Sequence, residues 1–150
     1  MQRNRYMDLA LSEAEKAAAV GETPVGAVIV SPAGEVLASA HNLVLAHRDP
    51  TAHAEMLAIR AAAVRTSSER LIGCDLYVTL EPCTMCAAAI SFARIRRLYF
   101  GALDEKGGAV ESGVRFFTQP TCHHAPEVYG GIGEARAAEL LRDFFRQRRG

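Results

Sequence analysis

The chain has 150 residues, 49% of them hydrophobic, and 17 basic side chains balance 17 acidic ones. It is long enough for one real core, and with no net charge it has no global field to draw in a polyanion, so any contact with nucleic acid must come from a local patch. No apolar run reaches the length of a membrane helix, and Met1-Gln2-Arg3-Asn4-Arg5 does not lead into the apolar stretch of a signal peptide. The expectation is a single cytoplasmic domain, residues 1–150, with no membrane contact, its thiols kept free by a reducing compartment.

In chain order, an Ala-rich amphipathic pattern predicts a helix from about Asp8 to Val20, stopped by Gly21. Val25 to Val30 reads as a buried strand, Ser31-Pro32-Ala33-Gly34 as a turn, and Glu35 to His41 as a second strand closing an antiparallel hairpin. A helix over Thr51–Val64 follows Asp49-Pro50, then a strand over Asp75–Leu80, a helix over Cys83–Ala93 and a strand over Arg97–Gly101. This alternation predicts α/β architecture with parallel neighbours. Ligands of such sheets bind at the carboxyl ends of strands, beside helix N-termini. Asp104 to Tyr129 carries no clear period, and a last helix begins near Glu134.

The chemistry concentrates in His53-Ala54-Glu55 and Pro82-Cys83-Thr84-Met85-Cys86. His53, Cys83 and Cys86 are zinc ligands by type, and two cysteines three apart share a helix face. His53 and Glu55 are placed in the first turn of their helix, and the cysteines at the start of another. A helix N-terminus favours anions and so the thiolate that zinc requires. Three ligands leave a tetrahedral ion one open position for water, and Glu55 is then free to move protons. A Cys-x-x-Cys alone would also fit a redox dithiol or a structural zinc, whose fourth ligand would come from Cys74, Cys122, His41, His47, His123 or His124. The terminal Asp143-Phe144-Phe145-Arg146-Gln147-Arg148-Arg149 sets arginines beside aromatics, as a single-stranded nucleic-acid surface does. The same residues also suit a helix packed by its rings and decorated at its C-terminus.

Asp49-Pro50-Thr51-Ala52-His53-Ala54-Glu55 and Tyr77-Val78-Thr79-Leu80-Glu81-Pro82-Cys83-Thr84-Met85-Cys86-Ala87-Ala88 resemble the cytidine-deaminase-like superfamily. Within it they resemble the bacterial tRNA-specific adenosine deaminases. Pro24-Val25-Gly26-Ala27-Val28, Asn42, Gly101-Ala102-Leu103-Asp104 and Asp143-Phe144-Phe145-Arg146 extend the resemblance over nearly the whole chain. His47-Arg48 departs from the Arg-His order of the family's best-known member, at a surface expected to meet RNA. The resemblance implies a three-layer α/β/α sandwich with a five-stranded mixed sheet, a homodimer, and one zinc per subunit on His53, Cys83 and Cys86. It further implies deamination of adenosine to inosine at the wobble position of a tRNA anticodon loop, by a zinc-activated hydroxide with Glu55 as proton shuttle. Asn42, the backbone amide of Ala54, Thr23 and Leu80 would then meet the flipped base. Asp104 would meet the neighbouring sugar, and Phe145 and Arg146 would support the RNA. Two other readings fit the same motifs: a free cytosine or guanine deaminase of the same fold, and a non-catalytic zinc protein that binds RNA.

Overall fold

The computed structural model describes residues 4–149. Asn4 opens the first helix, α1 (Arg5–Ala19), by accepting the backbone N–H groups of Tyr6 and Met7 at 3.0 Å each. That cap places the start three residues ahead of the expected Asp8. Met7, Ala10, Leu11, Ala14 and Ala17 recur at helical spacing and are buried, and Gly21 ends the segment at φ +82°. β1 (Gly26–Val30) and β2 (Val36–His41) form the expected antiparallel hairpin. A four-residue helix, α2 (Val44–His47), then leads to α3 (Ala54–Thr66), β3 (Asp75–Leu80), α4 (Thr84–Phe92) and β4 (Arg97–Ala102). A 3-10 turn (Phe116–Thr118), a short β5 (Glu127–Tyr129) and α5 (Glu134–Arg149) complete the order.

The sheet runs β2-β1-β3-β4-β5. β3, β4 and β5 are parallel, whereas β1 lies antiparallel to both β2 and β3. The sheet is therefore mixed, and the expectation of parallel neighbours holds only for its second half. The hairpin is the cause: β2 takes the outer edge, so β3 enters on the other side of β1. α1 and α5 cover one face around Val28, Val30, Tyr77 and Leu140, and α3 and α4 cover the other around Ile29, Leu76, Val78, Ile90 and Phe100. This is the three-layer α/β/α arrangement.

Small residues set how closely the layers approach. α3 buries Ala54, Ala58 and Ala62, and α4 buries Ala87. On the opposite face, a Cβ on Gly26 would lie 1.9 Å from the Ala10 carbonyl oxygen, so only glycine lets α1 rest directly on β1. The C-terminal ends of β2 and β3, the N-terminal end of β1 and the starts of α3 and α4 all meet at one rim.

Candidate metal centre and active site

His53 and Cys83 each sit one residue before their helix in extended backbone, at φ −75°, ψ 152° and φ −73°, ψ 176° respectively. The sequence placed both inside the first turn. For His53 the difference follows from what precedes it: Asp49 Oδ1 accepts the Thr51 N–H at 2.8 Å and its hydroxyl at 2.7 Å, holding residues 49–51 in a turn. Cap positions suit a ligand pair well. The side chains leave the helix ends sideways while the first free N–H groups lie beside them.

A tetrahedral zinc with bonds of roughly 2.3 Å to sulfur and about 2.0 Å to nitrogen separates those two ligand atoms by about 3.5 Å. His53 Nδ1 lies 3.6 Å from Cys83 Sγ and 3.5 Å from Cys86 Sγ. The three side chains therefore fit the ion as they stand. Among the described residues no fourth His, Cys, Asp or Glu joins the cluster, so Glu55 is outside it too. That favours an open position over a closed structural site. Cys74 is buried and Cys122 half-buried, each a free thiol away from the cluster.

Electrostatics tie the three groups of the cluster together, and Cys83 is the one prepared as a thiolate. Hydrogen bonding from Cys86, then from His53, pulls the Cys83 thiol down to about 4 against the opposing effect of burial. Cys86 is pushed up by its hydrogen bond to Cys83 and by burial, the direction opposite to the thiolate that zinc requires. The hydrogen bond to Cys83 raises His53. Glu55, in the first turn of α3 and 4% exposed, is pushed by burial up to about 7. A carboxyl poised there can both take and give a proton at neutral pH.

His53, Glu55 and Cys83 open onto a cavity of about 230 Å3 that is also lined by Thr23, Asn42, Leu80, Glu81 and Asp104. This is smaller than the roughly 300–1,000 Å3 typical of drug-sized sites and suits a single heterocycle. Asn42 is buried, and its Oδ1 accepts the Ala54 N–H at 2.8 Å. The Ala54 amide expected to face a base is thus bound to Asn42, whose own amide N–H groups remain for a ligand in the cavity. An adjoining cavity shares Thr23, Asn42 and His53 and adds Leu45, Phe144, Phe145 and Arg148. Phe145, 44% exposed, therefore stands at the mouth of the site, while Phe144 packs inward at 8%. Arg146 lies apart, lining a groove with Leu141, Arg142 and Phe145. Arg148 instead braces the fold, since its guanidinium covers the Phe144 ring at 4.7 Å and donates to the Gly21 carbonyl.

Two buried carboxylates beside the cavity were not singled out by the sequence. Glu22, 2% exposed, accepts the N–H groups of Leu45 and Ala46 at 3.1 and 2.8 Å and so fixes α2. Glu81, also 2% exposed, binds the loop after β4. The available signal for Glu81 was its place inside Leu80-Glu81-Pro82-Cys83; Glu22 offered none.

Residues 1–102 match the family model described as the cytidine and deoxycytidylate deaminase zinc-binding region. The chain is 62% identical over 148 residues to a tRNA-specific adenosine deaminase of Agrobacterium fabrum, covering 99% of this chain and 97% of that one. It is 46% identical over 145 residues to the enzyme of the same description from Haemophilus influenzae, covering 97% and 84%. A solved structure from a study of A-to-I editing by tRNA:A34 deaminases at the wobble position superposes with a TM-score of 0.90. It is 62% identical and covers 93% of this chain and all of the other.

Proposed function

The chain belongs to the tRNA-specific adenosine deaminases, within the cytidine and deoxycytidylate deaminase zinc-binding family, and from that premise we propose that it converts adenosine to inosine at the wobble position of a tRNA anticodon. The observation that carries this reading is a buried carboxylate, Glu55, beside a three-ligand metal cluster in a cavity sized for one base. Zinc held by His53, Cys83 and Cys86 would supply Lewis-acid activation of a water, bringing its pKa toward neutrality. The residues around it account for the rest.

Glu55 takes one proton from the attacking water for ring N1 and then carries the second, from the new C6 hydroxyl, to the departing amino group, so that adenosine and water give inosine and ammonia. Burial keeps that carboxyl close to the pH at which both transfers run. Asn42 donates its amide N–H to the base while Ala54 holds its carbonyl oxygen in place. Thr23 and Leu80 bound the base, and the cavity's small volume requires the nucleotide to be flipped out of its stack, as the unpaired anticodon loop permits. Asp104 borders the neighbouring nucleotide, Phe145 offers a stacking face at the mouth, and Arg146 and Arg142 offer cations to the phosphates.

The working unit is a homodimer of single-domain subunits in the cytoplasm. Val64 on α3 and Phe92 on α4, 81% and 69% exposed, belong to the two helices of one face and supply apolar surface for such a contact. Among the described residues no helix is long and apolar enough to cross a membrane. The test is to incubate the protein with an anticodon stem-loop carrying a wobble adenosine, and in parallel with free adenosine, cytidine, cytosine and guanine. Inosine in the stem-loop is expected. Turnover of a free base with the stem-loop untouched would move the protein to nucleobase salvage.

A further inference from the structure

Glu81 stands between two parts of the site. Leu80 before it lines the cavity, and Pro82-Cys83 after it leads to a metal ligand. Its own N–H donates to the Ala102 carbonyl at 2.8 Å, which extends the β3–β4 pairing past the strands. Its carboxylate is buried, and its hydrogen-bond partners are backbone amides and one hydroxyl. Oε1 accepts the Asp104 N–H at 3.0 Å and the Ser112 hydroxyl at 2.9 Å. Oε2 accepts the N–H groups of Val110, Glu111 and Ser112 at 3.0, 2.8 and 2.9 Å. Five donors converge on two oxygens.

Those donors all come from a segment that forms neither helix nor strand, although Ala109 and Val110 within it are buried. Backbone amides of such a segment must find acceptors, and Glu81 takes four of them, while Gly108 and Ala109 donate to the Asp104 and Pro82 carbonyls. The segment is shaped to that carboxylate. A Cβ on Gly108 would lie 2.5 Å from Glu81 Oε1 and from the Asp104 carbonyl oxygen, so the loop can close on Glu81 only with glycine there. Asp104 is held twice, by its N–H on Glu81 and by its Oδ1, which accepts the Gly107 N–H at 3.0 Å.

We infer that Glu81 is a positioning residue for polynucleotide binding: its carboxylate sets the 104–112 loop, and through it Asp104, against the substrate without touching the reacting atoms. The inference rests on reading the cavity as the site of the wobble adenosine. Glu81→Gln keeps the side chain's shape but turns an amide N–H2 toward backbone donors. In the zinc-loaded variant KM for the wobble stem-loop should rise about tenfold or more, with kcat within about threefold, because the lost contacts act on binding and not on chemistry. Amide hydrogen exchange at Val110, Glu111 and Ser112 should quicken, with or without substrate. In an Asp104→Ala background the same substitution should add nothing further to KM, since it works through Asp104.

A fall in kcat at unchanged KM, or independent effects in the double variant, would overturn the inference. Should Glu81→Gln not fold, Ser112→Ala removes only the hydroxyl donor; it should raise KM less and quicken the same amides, and no change in either would count equally against it. Wild-type protein that leaves the stem-loop untouched defeats the wobble-site reading instead. The role of Glu81 in the loop is then judged by exchange alone, and unaltered protection in Glu81→Gln rejects it.

Discussion

In the proposed function Asn42 uses the two ends of one amide for different purposes, and substitution can separate them. Its Oδ1 accepts the Ala54 N–H at 2.8 Å in a buried setting, satisfying one of the free donors at the start of α3. Asn42→Ala orphans that donor, at a cost of roughly 1–3 kcal/mol. For a chain of this size each kcal/mol lowers Tm by about 2–4 °C, so a fall of roughly 2–12 °C is expected by scanning calorimetry of the zinc-loaded protein. Asn42→Asp keeps the acceptor and places a negative charge at the positive end of α3, so its Tm should stay within about 2 °C of wild type. It removes the N–H donor, however, and turns a carboxylate toward an acceptor on the base. A loss of about 3 kcal/mol in transition-state binding corresponds to about a hundredfold in kcat/KM on the wobble stem-loop. The two variants should thus differ in Tm and both lose activity. An Asn42→Asp protein with wild-type kcat/KM would remove the donor role, and an unchanged Tm in Asn42→Ala would refute the assignment of Oδ1 to Ala54.

Gly26→Ala forces a methyl to within 1.9 Å of the Ala10 carbonyl, so α1 must lift from the sheet. The cost should reach about 3 kcal/mol, seen as a Tm lower by roughly 6–12 °C, and a neutral substitution would deny that α1 packs directly on β1. Burial pushes the Glu13 carboxyl up, but hydrogen bonds from His41 and Lys16 outweigh it and hold the group below the usual 4.5. Its contribution is therefore full above about pH 4.5 and is lost as pH falls through the lower folded value. The Tm gap between wild type and Glu13→Gln should close on acidification, and a gap independent of pH would contradict the assignment. Arg142→Ala with Arg146→Ala should weaken stem-loop binding and make its salt dependence shallower by about 1.4 in log–log slope, one single-strand phosphate contact for each arginine. An unchanged slope would make that face ordinary helix surface. Arg148 is unsuited to this test because its removal also frees Phe144 and Gly21.

The parts of the site legible in the sequence were those whose chemistry is local. His53, Cys83 and Cys86 announce themselves by type and spacing, and β3 and the start of α5 fall where the hydrophobic period put them. The start of α3 moved because a turn at Asp49–Thr51 holds His53 just outside the helix, and that of α4 moved by one residue, with Cys83 at its N-cap. What could not be read is what depends on distant partners. α2 is four residues long and is capped by Glu22, more than twenty positions earlier; β5 is three residues long and exists by pairing with β4. The stretch after Asp104 has no period because its order comes from Glu81. His124, left open by the sequence, binds the Ile95 carbonyl at 2.8 Å. The aromatic pair at the C-terminus divides between both readings, Phe144 packing the core and Phe145 facing solvent.

The most direct test measures zinc content and inosine formation on the same samples of wild type and Glu55→Ala. The wild type should hold one zinc per chain and form inosine in the wobble stem-loop, and lose that activity when the metal is chelated. Glu55→Ala should hold the same zinc and form inosine slower by about a hundredfold to ten-thousandfold, because both proton transfers depend on that carboxyl. Glu55→Ala that edits at the wild-type rate, or wild type that edits equally well without zinc, would contradict the account.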